Sequence, residues 1–76
     1  MIWAVKEINI LGSGEVNCYI DLFKNMEDGQ RKMAEDSCSH KKENNAREIS
    51  HTEDKVILED DNENKYVLEL EYLQVK

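Results

Sequence analysis

The cysteines and histidines of this 76-residue sequence supply four potential zinc ligands, Cys18, Cys38, His40 and His51, and among them a possible cysteine nucleophile. Structural zinc sites take their ligands in Cys-x2–4-Cys or His-x3–5-His pairs. Only Ser39 separates Cys38 from His40, and Cys18 and His51 stand apart, so no pair has that spacing. Neither a metal nor any other cofactor is expected. A Cys38–His40 nucleophile pair would need its base held at hydrogen-bond distance by a third group on rigid supports. Gly12-Ser13-Gly14 is too short to cradle a phosphate, and no helix start follows it. Carboxylates are plentiful, but acid–base work needs a cleft that perturbs them, and a short chain has little room for one. The expectation is a protein that is not an enzyme.

The carboxylates are distributed unevenly. Residues 1–52 carry 9 acids and 7 bases, a net of −2, whereas residues 53–76 carry 8 acids and 3 bases, a net of −5. Glu59, Asp60, Asp61, Glu63, Glu69 and Glu71 all fall within that last third. Alternate residues of a strand lie roughly 6.8 Å apart on one face, about the span of two phosphate steps of roughly 3.4 Å on a DNA strand. An acidic ribbon of this kind is a candidate nucleic-acid mimic, and these six residues are the expected partner contacts. Solvation and protection of an exposed edge are the plainer uses of the same charge. Arg31, Lys32, Lys41, Lys42 and Arg47 form a basic cluster in the middle, interleaved with Glu35, Asp36, Glu43 and Glu48.

Strands must position these groups. Ile2 to Ile10 and Glu15 to Lys24 flank Gly12-Ser13-Gly14, and a three-residue loop would set Ile10 against Val16 and Ile8 against Cys18. Trp3 and Val5 differ in parity from Ile8 and Ile10, which predicts a bulge near Lys6-Glu7. Beyond it Val5 would meet Ile20, and Trp3 would meet Leu22. The second hairpin pairs Leu58 with Tyr66, Val56 with Leu68 and Lys55 with Glu69 across the polar run 60–64. Leu73 and Val75 change parity again, which predicts a second bulge near Tyr72 or two covered faces.

The middle, residues 25–54, carries weaker signals. Met33, Ala34, Ser37, Cys38 and Lys41 make a helical stripe with Asp28 as N-cap, while Asp28-Gly29 also reads as a hairpin turn. Residues 39–45 read as a loop, and Arg47 to Ser50 as a short strand. The predicted fold is a mainly β or α+β single domain spanning 1–76, an antiparallel sheet of five to six strands. Hairpins 2–24 and 55–75 build it, and it is curled into a small barrel or carries one short helix within 29–44. The expected core is Trp3, Val5, Ile8, Ile10, Val16, Cys18, Ile20, Leu22, Val56, Leu58, Tyr66, Leu68 and Leu70. That core is thin for a chain of this length, which makes a homodimer or a partner an expected source of added stability.

Composition narrows the classes. Apolar residues make up 39% and charged residues 36%, with a net charge of −7, against the usual roughly 45–50% and a quarter. No apolar run approaches a membrane span, and phosphate binding needs clustered cations that a net acidic chain lacks. Two cysteines, with no signal peptide at Met1-Ile2-Trp3, predict a cytoplasmic location, or the host cytoplasm for a phage-encoded chain. In size, acidity and lack of a catalytic set, the profile is similar to small phage and mobile-element inhibitors such as anti-CRISPR proteins. That similarity rests on no motif and transfers no site. The expected function is a protein-binding inhibitor whose acidic hairpin covers a basic, nucleic-acid-binding surface of a larger protein, with no direct nucleic-acid or membrane binding. The alternatives are an adaptor domain in an assembly, or a small barrel binding RNA through residues 31–47.

Overall fold

The computed structural model describes residues 2–74, which fold as β1 (Ile2–Ile10), β2 (Val16–Phe23), α1 (Met26–Asn44), β3 (Arg47–His51), β4 (Lys55–Glu59) and β5 (Lys65–Leu73). The strands form one antiparallel sheet in the order β2-β1-β5-β4-β3. The first and last elements in sequence therefore pair at the centre. Among the described residues β2 and β3 are the free edges, and the sheet does not close into a barrel.

The helix forms because most of its residues favour it, Gly29 being the main exception. Residues 26–44 contain no proline and no β-branched residue, and Gln, Arg, Lys, Met, Ala and Glu are good helix formers. Glu27 and Asp28 occupy the first turn and Lys41 and Lys42 the last, matching the helix dipole. Lys32 pairs with Asp36 at 3.1 Å, one turn along. Asn45 ends the helix in the left-handed region at φ 54°, and the backbone N–H of Ala46 donates to the carbonyl of His40 at 3.2 Å. Helix formation overrides the turn signal at Asp28-Gly29. Gly29 lies buried against the sheet, where a Cβ would stand 2.7 Å from Leu70 Cδ1. Its missing side chain sets how closely α1 approaches β5.

α1 lies across one face of the sheet. Val5, Met33, Ala46, Val56, Leu58, Tyr66, Leu68 and Leu70 form the core between helix and sheet, with Trp3 and Phe23 packed against it. Leu58 and Leu68 are fully buried. Paired residues of an antiparallel sheet share a face. Trp3, Val5, Phe23, Tyr66, Leu68, Leu70 and Tyr72 thus share the covered face, and Ile8, Ile10, Val16, Cys18, Ile20 and Leu22 share the open one. No helix among the described residues is long and apolar enough to cross a membrane.

Several expectations are corrected here. Val16, Ile20 and Leu22, assigned to the core, are 55%, 62% and 61% exposed, and Cys18 is exposed beside them. Ile10 is exposed and Ile8 half-buried for the same reason. Alternation separates two faces of a strand but does not say which one a helix will cover. The bulge near Lys6-Glu7 is absent. Pairing runs unbroken from Trp3 opposite Phe23 to Ile10 opposite Val16, with Val5 opposite Asp21. The change of parity in β1 reflects apolar residues on both faces. β5 likewise pairs regularly through Tyr72 to Leu73 opposite Ile2, and Val75 lies outside the described residues. The irregularity falls in β3, between Glu48 and Ser50. The helix begins at Met26 rather than within 29–44, Asn25 rather than Asp28 takes the N-cap position, and residues 39–44 are helical rather than loop.

Candidate binding surface

The acids expected to form a ribbon are interleaved with cations by the register. On the open face Glu69 of β5 lies opposite Lys6 of β1 and Lys55 of β4, and Glu59 of β4 lies opposite Lys65 of β5 and Arg47 of β3. Each carboxylate thus stands between two cations along a row crossing the strands. Glu71 is ion-paired with Lys6, which holds the Lys6 ammonium above the usual lysine range. Asp61 meets Arg47 Nη1 at 3.3 Å. Glu63 sits at the turn with φ 65°. The excess of five negative charges in residues 53–76 is therefore not presented as a bare acidic strip on this face.

Asp60 requires a correction, since it is only 4% exposed and cannot serve as a surface contact in this fold. Its Oδ1 accepts the backbone N–H groups of Asn62 and Asn64 at 2.9 and 3.0 Å, and its Oδ2 accepts Asn64 Nδ2 at 3.0 Å and the Tyr66 hydroxyl at 2.8 Å. Burial pushes the carboxyl up, but these four hydrogen bonds outweigh it and hold the group below the usual aspartate range. Asn64 also links the two hairpin tips, because its Oδ1 accepts the Gly12 N–H at 2.9 Å.

The two histidines separate. His40 turns inward and stacks on Tyr66 with ring centroids 4.1 Å apart. Asn44 Nδ2 lies 3.1 Å from its Nδ1, and Glu7 Oε1 lies 3.3 Å from its Nε2. That pattern suits the tautomer with the proton on Nε2. Cys38 and His40, two apart on a helix, point to different sides. Cys18 lies on the open sheet face and Cys38 on α1, and both thiols are free. Among the described residues no group of three His, Cys, Asp or Glu side chains is placed to hold a metal.

A concavity lies where α1 leaves the sheet uncovered. A helix is about 10 Å across and strands lie roughly 4.8 Å apart, so one helix shelters only part of a five-stranded sheet. The outer part, over β3 and β4, is a groove of about 630 Å³. Met26, Met33, Ala34 and Val56 give it an apolar floor, with Cys38 and His51 on its walls. Glu48 bridges the walls, meeting Lys41 Nζ at 2.7 Å and His51 Nδ1 at 3.3 Å, and these contacts hold its carboxyl below the usual range. The groove runs on past Met26, Gln30, Thr52 and Glu53 into a hollow beside Trp3, Leu70 and Asp54. Thr52 Oγ1 donates to Asp54 Oδ1 at 2.9 Å, and the Leu70 N–H donates to the Asp54 carbonyl at 2.7 Å, fixing this turn against β5. No ion pair involves Glu53 or Asp54 among the described residues.

Among known family models, curated proteins and solved structures, nothing matches this chain. The stripe of Met33, Ala34, Ser37, Cys38 and Lys41 is legible in the sequence, but its place in the lining of a groove is not. The usable signal was Met26 and Gln30 extending that stripe by two turns toward the N-terminus.

Proposed function

We propose that this protein is a non-enzymatic binding protein that inhibits a larger protein by occupying a basic segment of its nucleic-acid-binding surface. The contact surface in this reading is the groove between α1 and the β3–β4 hairpin, in place of the β4–β5 ribbon. One observation carries it: a methionine-lined apolar floor opens at Glu53 and Asp54, two carboxylates with no ion-pair partner among the described residues. Methionine side chains adapt to varied apolar partners, and flanking acids favour a segment that is basic on one face and apolar on the other. Met26 is 42% exposed, so a bound apolar anchor would remove it from water.

The test is a pull-down from nuclease-treated lysate, with bound proteins identified by mass spectrometry and the recovered partner then purified. Stoichiometric addition of this protein should displace nucleic acid from that partner. Glu53→Lys with Asp54→Lys should weaken the interaction by at least about tenfold through lost charge complementarity, whereas Glu69→Lys with Glu71→Lys should change it less. Equal sensitivity to both pairs would return the contact to the hairpin. A partner that still binds nucleic acid when saturated with this protein would refute inhibition.

An adaptor role in an assembly is the second reading, and the alternating charge rows of the open face favour it, since they offer a nearly neutral surface for packing. The RNA-binding alternative finds less support. Arg31 pairs with Asp28, Lys32 with Asp36, Lys41 with Glu48 and Arg47 with Asp61.

A further inference from the structure

We infer that β2 is a self-pairing edge, through which two copies of this chain join antiparallel into one ten-stranded sheet. β2 ends the sheet, so its outer edge has no strand partner among the described residues. The Leu11 N–H donates to the Glu15 carbonyl at 2.8 Å, across the hairpin from Ile10 opposite Val16. In an antiparallel ladder, hydrogen-bonded pairs recur at every second residue. The odd-numbered residues of β2 thus bond to β1, and Val16, Cys18, Ile20 and Leu22 direct their N–H and C=O groups outward. Their side chains are the same apolar row that stands exposed on the open face. Edges of this kind are normally blocked by lysine, proline or an inward charge. Here Asp21 is the one charged residue between Val16 and Phe23, in a chain that is 36% charged.

The self-complementarity of the apolar row selects a second copy as the occupant, and charge selects the register. Two chains that each carry −7 repel, so a second copy docks where charge is sparse. A two-fold axis through Tyr19 sets Cys18 against the partner's Ile20, Val16 against the partner's Leu22, and Asp21 against the amide of the partner's Asn17. All four outward-directed residues of each strand then find hydrogen-bonding partners. Moving the axis to Cys18 brings Asp21 against the partner's Glu15, and moving it to Asp21 brings two aspartates together. Placing it at Ile20 sets Val16 against the partner's Lys24. The axis at Tyr19 alone pairs apolar with apolar and leaves no like charges opposed.

The register can be read chemically. At the axis Tyr19 would form a non-hydrogen-bonded pair with its symmetry mate, with Cα atoms about 4.5 Å apart, which a disulfide spans. In a background with Cys18→Ser and Cys38→Ser, Tyr19→Cys should give an interchain disulfide under oxidised glutathione. Asn17→Cys in the same background should not, its symmetry mates lying roughly 13 Å apart along the strands. The wild-type chain should sediment as a dimer, more completely at 0.5 M than at 0.05 M salt, because screening weakens the repulsion between copies. Ile20→Lys should give a folded monomer by circular dichroism and sedimentation, since Ile20 is 62% exposed and outside the core. A wild-type monomer at about 0.5 mM in both salts would overturn the inference. So would a dimer that survives Ile20→Lys, or that cross-links through Asn17→Cys as readily as through Tyr19→Cys.

Discussion

The Tyr66 hydroxyl donates to the Asp60 carboxylate at 2.8 Å, from inside the core to the base of the β4–β5 turn. Both groups are buried, and three further donors converge on the same carboxylate. This contact makes the most acidic stretch of the chain an ordered corner of the fold.

Asp60→Asn should destabilise the protein by roughly 1–3 kcal/mol, because an amide offers one acceptor oxygen where four donors point. Chemical denaturation of the two forms at neutral pH measures the difference.

The same pair predicts a pH dependence. Asp60 is held below its unfolded value of 3.8, so the stability it supplies is present above that pH and is lost as pH falls through the folded value. Tyr66 is shifted the other way, upward from 10.0, by burial and by its bond to Asp60. Its contribution is present below pH 10 and is lost as pH rises through the folded value. Thermal melts from pH 2.5 to 11 should show both declines. Asp60→Asn should flatten the acid side, and Tyr66→Phe the alkaline side.

Gly12→Ala should part the two hairpin tips. A Cβ there would stand 2.7 Å from the Asn62 carbonyl oxygen, a backbone atom that cannot swing aside. The Gly12 N–H bond to Asn64 would break with it, at a cost of roughly 1–3 kcal/mol. Amide exchange should show Gly12 losing protection while Val5 and Leu68 stay protected.

Glu63→Gly should stabilise the chain by about 0.5–1 kcal/mol, because Glu63 adopts φ 65° and glycine carries no Cβ penalty there. A lower midpoint in urea would show that the Glu63 side chain contributes more than its backbone strain costs.

Leu58→Ala should cost about 2–5 kcal/mol, since it leaves a cavity among fully buried neighbours. Leu22→Ala should change stability far less when measured at concentrations where the chain is monomeric, because Leu22 is 61% exposed. Equal losses would place the core on the wrong face of β2.

Much of the framework was written in short-range pattern. The turn at Gly12-Ser13-Gly14 and the polar run 60–64 punctuate alternating strands, so both hairpins and the pairs Ile10–Val16, Ile8–Cys18, Leu58–Tyr66 and Val56–Leu68 follow from local residue order. Hairpin pairing depends on neighbours in sequence, which is why it is legible there. Two things depended on the tertiary structure. One is which face α1 covers. The helix presents Gly29, Met33 and Ser37 as its buried residues, a stripe too polar and too small to announce itself, and its placement decides that Val5 is core while Ile20 is surface. The other is the pairing of β1 with β5, elements far apart in the chain. That pairing sets Lys6 beside Glu69 and Glu71, and with Lys55 and Lys65 it turns an acidic run in sequence into alternating rows of charge. Net charge is a property of composition, but its field depends on which strands become neighbours.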